Sequence, residues 1–170
     1  MNEHVINDSR ISSDRAPSSN WLSKLLTTNA DAAPLLARVA LGAVMFPHGA
    51  QKALGWFGGP GLEGTMGFMT TQLGIPSTFV GLAIAAEFLG SIGLITGTLT
   101  RVAAFGIAVT MLVATLMVHA NNGFFMNWAG TQGGEGFEYH LLAIALAALV
   151  MVKGAGRWSI DRYLSSTLSR

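Results

Sequence analysis

The sequence contains no cysteine, which excludes disulfides, thiolate metal sites, iron–sulfur clusters and a cysteine nucleophile. Charge is scarce as well. Asp, Glu, Lys and Arg make up 11% of the 170 residues, whereas a soluble domain averages about 25%. The 10 basic and 9 acidic side chains nearly cancel, so the chain has no basic stripe and nucleic acid is not an expected partner. Hydrophobic residues account for 51% of the chain, and the mean hydropathy is +0.47. So few ionised groups cannot clothe a water-soluble globule, and so apolar a chain does not stay disordered. The expected solvent is a lipid bilayer around a single domain.

Residues 1–31 differ from the rest. Arg10, Arg15, Asp8 and Asp14 stand among Ser, Asn and Thr, the composition of a polar, partly disordered leader. It has no apolar core, so a cleavable signal peptide is not expected. Trp21, Leu22, Leu25 and Leu26 share one face of a short helix. With Lys24 beside them, they suggest an interfacial segment ahead of the first span.

Residues 32–170 read as the membrane domain, with apolar spans at about 33–54, 78–98, 101–119 and 136–153. Asp31 is a natural N-cap for the first, and Pro34 fits its first turn. The fourth apolar run, Leu141–Val152, is too short. Crossing a hydrocarbon layer takes roughly 20 residues, so Glu138 and His140 must enter the membrane or its rim. Phe79–Thr98 carries one charge and Val102–Val118 none, so neither helix has a face for water. The expected fold is therefore all-α: an antiparallel four-helix transmembrane bundle with Gly-rich outer loops.

Lys24, Arg101, Lys153, Arg157 and Arg162 gather on one side of this arrangement. The positive-inside rule then puts both termini in the cytoplasm, with 55–76 and 119–137 as outer loops. The glycines and dry aromatics of those loops (Trp56, Phe57, Phe124, Phe125) fit a lid that folds onto the bundle. Trp158–Leu164 fits a short amphipathic helix along the inner surface. The GxxxG pattern Gly93–Gly97 fits close helix packing, within the bundle or between copies in a homo-oligomer.

Two charges lie well inside the spans, Arg38 and Glu87. A mid-membrane charge costs a few kcal/mol and usually has a partner; these two are expected to form a buried ion pair that sets helix register. The remaining polar groups collect at the outer ends. His48 and Lys52 close the first span, His119 and Asn122 close the third, and Glu138 and His140 open the fourth. Their convergence would make one pocket. No short ligand spacing such as HxxxH occurs, so a metal site is not expected. An ammonium, imidazoles and a carboxylate walled by Phe and Met suit a quinone or another amphipathic ring.

The order of these marks resembles the DoxX family of small four-span membrane proteins. Arg38, His48-Gly49-x-x-Lys52, Glu87, His119, Glu138 and the tail Gly154-Ala-Gly156-Arg-Trp-Ser159-Ile-Asp161 carry the resemblance over residues 33–164. It implies a redox-associated component of a bacterial-type inner membrane. Relatives include a subunit of a quinone-linked thiosulfate-oxidising enzyme and members that tether soluble redox enzymes. Two readings follow: a quinone-binding subunit of a membrane oxidoreductase complex, or a non-catalytic scaffold that recruits a soluble redox enzyme. A small-solute transporter, motivated by Glu87, is weaker because no repeat is visible.

With no native cysteine, topology is directly testable. Ala129→Cys should react with a membrane-impermeant maleimide added to intact cells, and Ser165→Cys only after lysis; the reverse pattern would invert the orientation.

Overall fold

The computed structural model describes residues 21–28 and 30–168; the expected polar leader, residues 1–20, lies outside them. Among the described residues the chain is all-helical. Its α-helices are α1 (Trp21–Leu26), α2 (Ala32–Leu54), α3 (Gly61–Thr71), α4 (Ser77–Thr96), α5 (Thr100–Ala114), α6 (Glu138–Lys153) and α7 (Ile160–Leu168). Helix α5 runs on through a π turn, Thr115–His119, and a 3-10 turn, Ala120–Asn122. Three helical segments are long and apolar enough to cross a membrane: Ala32–Leu54, Ser77–Thr96 and Thr100–Asn122. Helix α6, at 16 residues, is shorter than these.

Local chemistry accounts for the boundaries. The Asp31 carboxylate accepts the Ala33 N–H at 3.0 Å and caps α2, satisfying one of the amides a helix start leaves unpaired. Helix α4 ends at Gly97, whose φ of 75° is left-handed and natural for glycine. The 55–76 segment departs from a simple loop. After Gly61, at φ 70°, the run Leu62–Thr71 has no further turn residue forcing it out of helix, and α3 forms and packs on α2 and α4.

The long helices pack in the order α2–α4–α5–α6, and α6 returns to α2. Helices α2 and α4 approach at two glycines. A Cβ on Gly42 would lie 2.9 Å from the Ser91 carbonyl oxygen, and one on Gly49 would lie 2.6 Å from the Phe88 backbone. As numbers rise on α2 they fall on α4, so the two run in opposite directions. Leu41, Met45, Leu94, Ile107, Ala143, Ala147 and Val150 fill the shared core. The GxxxG pattern divides its work: Gly93 packs near Ala103, whereas Gly97 is the helix cap and lies against Ser159.

The expected Arg38–Glu87 ion pair does not form. Arg38, only 1% exposed, spends its guanidinium on carbonyls. Nε donates to Ala155 (2.8 Å), Nη1 to Leu94 and Ile95 (both 2.7 Å), and Nη2 to Arg157 (3.1 Å) and Trp158 (2.7 Å). The physical reason is height. Arg38 lies level with the last turn of α4, where unpaired carbonyls and the negative end of the helix dipole meet a cation. Glu87 lies seven and eight residues back along α4 from the Leu94 and Ile95 carbonyls, roughly 11 Å away. Arg101 works in the same way, joining α5 to the Met151 and Val152 carbonyls of α6 and to Lys24, Leu25 and Thr27 at α1.

Asp161 closes this end. Its carboxylate accepts the Leu99 and Thr100 N–H groups at 2.7 and 2.8 Å, capping α5 from α7, and its own N–H donates to the Gly97 carbonyl. Asp161→Ala should lower stability by about 1–2 kcal/mol, the usual worth of a helix cap. Arg38→Met should cost more, ~3 kcal/mol, because buried carbonyls lose their donors. Thermal unfolding in one detergent, with circular dichroism as readout, would compare the two; equal melting temperatures for wild type and Arg38→Met would refute the clamp.

Candidate functional site

Glu87 is buried at the middle of α4, with its side chain 4% exposed, and Lys52 Nζ reaches its Oε2 at 2.5 Å. Helix α2 makes this possible. Gly49 brings the α2 backbone against the Glu87–Phe88 peptide, so Lys52, about one turn further on, extends over the carboxylate. The Lys52 side chain remains 31% exposed. The pair therefore joins a buried anion to a partly wet cation, and the short contact is a charge-assisted hydrogen bond. Thr65 of α3 donates to the Lys52 carbonyl and ties the outer helix to this point.

Beside the pair lies a train of rings. His48 and Tyr139 have centroids 6.0 Å apart, Tyr139 and His140 5.8 Å, and His140 and His119 4.1 Å. Tyr139 Oη donates to Met45 Sδ at 3.5 Å. His140 is 7% exposed, and its Nδ1 is buried without a hydrogen-bond partner. A buried ring nitrogen left unpaired costs free energy, so this atom is a position where a ligand group gains by binding.

The π turn delivers His119. The Ala120 N–H bonds to the Thr115 carbonyl, five residues back, and the extra residue alters where the last turn aims its side chains. His119 Nδ1 lies 2.8 Å from the Glu135 carbonyl and Asn122 Nδ2 donates to the same oxygen at 3.1 Å, so the 123–137 loop is held against the end of α5.

Of the six residues expected in the pocket, His48, Lys52, His119 and His140 line one cavity of 1730 Å³ together with Glu87 and Tyr139. Asn122 and Glu138 are not among its lining residues. Asn122 braces the loop, and Glu138 Oε1 accepts the Met126 N–H at 3.0 Å. The sequence does not single out Tyr139, which stands between Glu138 and His140, or Glu135, which also lines the cavity. Glu87, expected with Arg38, lies instead beside Lys52 on the wall of this site. Groups of three or more His or acidic side chains able to hold a metal ion are absent among the described residues. The arrangement can instead hold a polar ring: an ammonium and imidazole nitrogens to meet oxygens, and apolar walls to take the rest.

Comparison with known proteins bears on what such a chain is. The family model described as DoxX matches residues 33–120, just over half of the chain, taking in α2 from Ala33, α3, α4 and α5 through its π turn. A Bacillus subtilis (strain 168) protein named "Putative oxidoreductase CatD" is 30% identical over 112 residues, 66% of this chain and 73% of that protein. No solved structure matches the chain. On the family match, and with three helices fit to cross a bilayer, the chain belongs to the DoxX family of membrane proteins.

Proposed function

We propose that this protein is a four-span antiparallel membrane bundle of bacterial inner-membrane type, with both termini cytoplasmic. In this reading it binds a quinone-like ring in its outer half as a redox-associated subunit. The observation that carries the reading is the juxtaposition of the Lys52–Glu87 pair with the open Nδ1 of buried His140 in one cavity. Helix α6 completes the crossing together with the 134–137 segment that leads into it.

The chemistry fits a ring that alternates between carbonyl and hydroxyl forms. Lys52 can donate to a carbonyl oxygen while Glu87 holds its charge. His140, with the tilted His119 ring 4.1 Å away, can donate to or accept from the opposite oxygen. Reduction of a quinone adds two electrons and two protons, and imidazoles at the pocket wall are suited to exchange those protons with the outer loop. The electrons would come from a partner redox enzyme, in keeping with the oxidoreductase name carried by the Bacillus relative.

The scaffold reading has its own support at the opposite end. Helices α1 and α7 pack together there, and Trp21, Trp158 and Tyr163 are each more than 70% exposed, a surface suited to a membrane interface or a soluble enzyme.

The two readings part in one experiment. Lys52→Ala and His140→Ala should each weaken binding of a benzoquinone to the purified protein by about tenfold or more, the loss of one buried polar contact. Partner capture by the cytoplasmic face should be unchanged. Wild-type protein whose melting temperature and intrinsic fluorescence ignore added quinone would refute the ligand reading and leave the scaffold.

A further inference from the structure

The cavity is not a closed chamber. Its floor holds residues that are fully buried, Met45 and Val80, both 0% exposed, and the same space continues past side chains on the outer surface such as Val113 and Met117. These are 40% and 44% exposed. The continuity runs along the groove between α4 and α5. At Gly106 and Gly90 the helices approach: a Cβ on Gly106 would lie 3.0 Å from Ala86 Cβ, and one on Gly90 would lie 3.5 Å from the Ala103 carbonyl oxygen. Nearer the start of α4 a Cβ on Gly81 would meet nothing within 4 Å, and Val80 and Ala83 of α4 line the cavity along with Thr110 and Val113 of α5.

Two further features mark this gap. The Thr100–Asn122 segment is the most apolar of the three candidate spans, with a mean hydropathy of 2.1, yet it is the least covered, with 17% of its most apolar stretch buried against 39% and 33% for the others. Helix α3 sits above, with Thr65, Phe68 and Met69 on the cavity wall, so the polar cluster is roofed on the side of the outer loops while its flank stands open.

We infer that the gap between the outer halves of α4 and α5 is a lateral portal, through which a ring carrying a long apolar tail enters from the bilayer. The ring rests at Lys52, Glu87 and His140, and the tail lies in the gap and extends along the α4–α5 groove. This rests on the functional reading above and adds the route and the class of ligand. The two ends of the cavity require an amphipathic occupant: the deep end presents charge and an unpaired imidazole nitrogen, and the mouth presents mainly apolar side chains, Ala83, Val113 and Met117 among them. A water-soluble substrate would leave that mouth unfilled, and a plain hydrocarbon would leave the polar groups unpaired.

The test compares one quinone headgroup with and without a polyprenyl tail, binding to the full-length protein in nanodiscs. Ala83→Trp and Val113→Trp fill the portal with apolar bulk that lipid tolerates, and Leu142→Trp, on the 66% exposed face of α6, is the control outside the cavity. The expected result is that both portal variants bind the tailed quinone about tenfold more weakly than wild type or the control, with binding of the tailless quinone unchanged. Equal loss for both ligands would make these positions part of the ring site and overturn the portal. No loss for either would also overturn it, with the ring site intact. Wild type that binds neither ligand would instead overturn the functional reading, and the portal with it. Cysteines at 83 and 113 that cross-link between two copies in the membrane, with tailed-quinone binding unaffected, would assign the gap to a second copy of the chain.

Discussion

A carboxylate in the middle of an apolar helix cannot stand alone, because ionising it away from water costs several kcal/mol unless a cation and hydrogen-bond donors meet it. Glu87 is in that position on α4, and its answer is Lys52 from α2. The contact depends on backbone proximity more than on the reach of the lysine. Gly49 has no side chain to hold α2 away from the Glu87–Phe88 peptide, so the two helices close and the ammonium arrives over the acid. The cavity, its rings and its opening toward α5 are all arranged around this pair.

The opposite end is organised by a different use of charge. Arg38 and Arg101 pair with carbonyl oxygens rather than carboxylates, and Asp161 pairs with backbone N–H groups rather than a base. Each satisfies backbone groups that a helix end leaves unpaired, Arg38 and Asp161 in buried positions and Arg101 in a more exposed one. A guanidinium does this well because its donors form a planar fork that can serve several carbonyls at once. The result is one end where α1, the 154–158 segment and α7 are stitched to the long helices, and an opposite end that holds the Lys52–Glu87 pair and its rings.

Between the two ends, α4 and α5 are held close at Gly90, Gly93 and Gly106. The core of Leu41, Leu94, Ile107 and Val150 joins the guanidinium-bound end to the end that holds the Lys52–Glu87 pair.

Much of this was legible in the residues themselves. The near-absence of charge, Glu87 alone over 79–98 and none over 102–118, demands lipid; the Asp31 cap and Gly97 stop come from local chemistry, and His48, Lys52, His119 and His140 stand out by polarity at the ends of apolar runs. Such features depend on near neighbours in the chain, and sequence records those directly. Partner choice does not. Whether Glu87 meets Arg38 or Lys52 turns on helix register, which close approach at Gly42 and Gly49 settles only when α2 and α4 are packed. Tyr139 and the π turn that aims His119 were likewise decided in three dimensions, because which way a side chain faces at the end of a helix depends on what the neighbouring helix leaves unpaired.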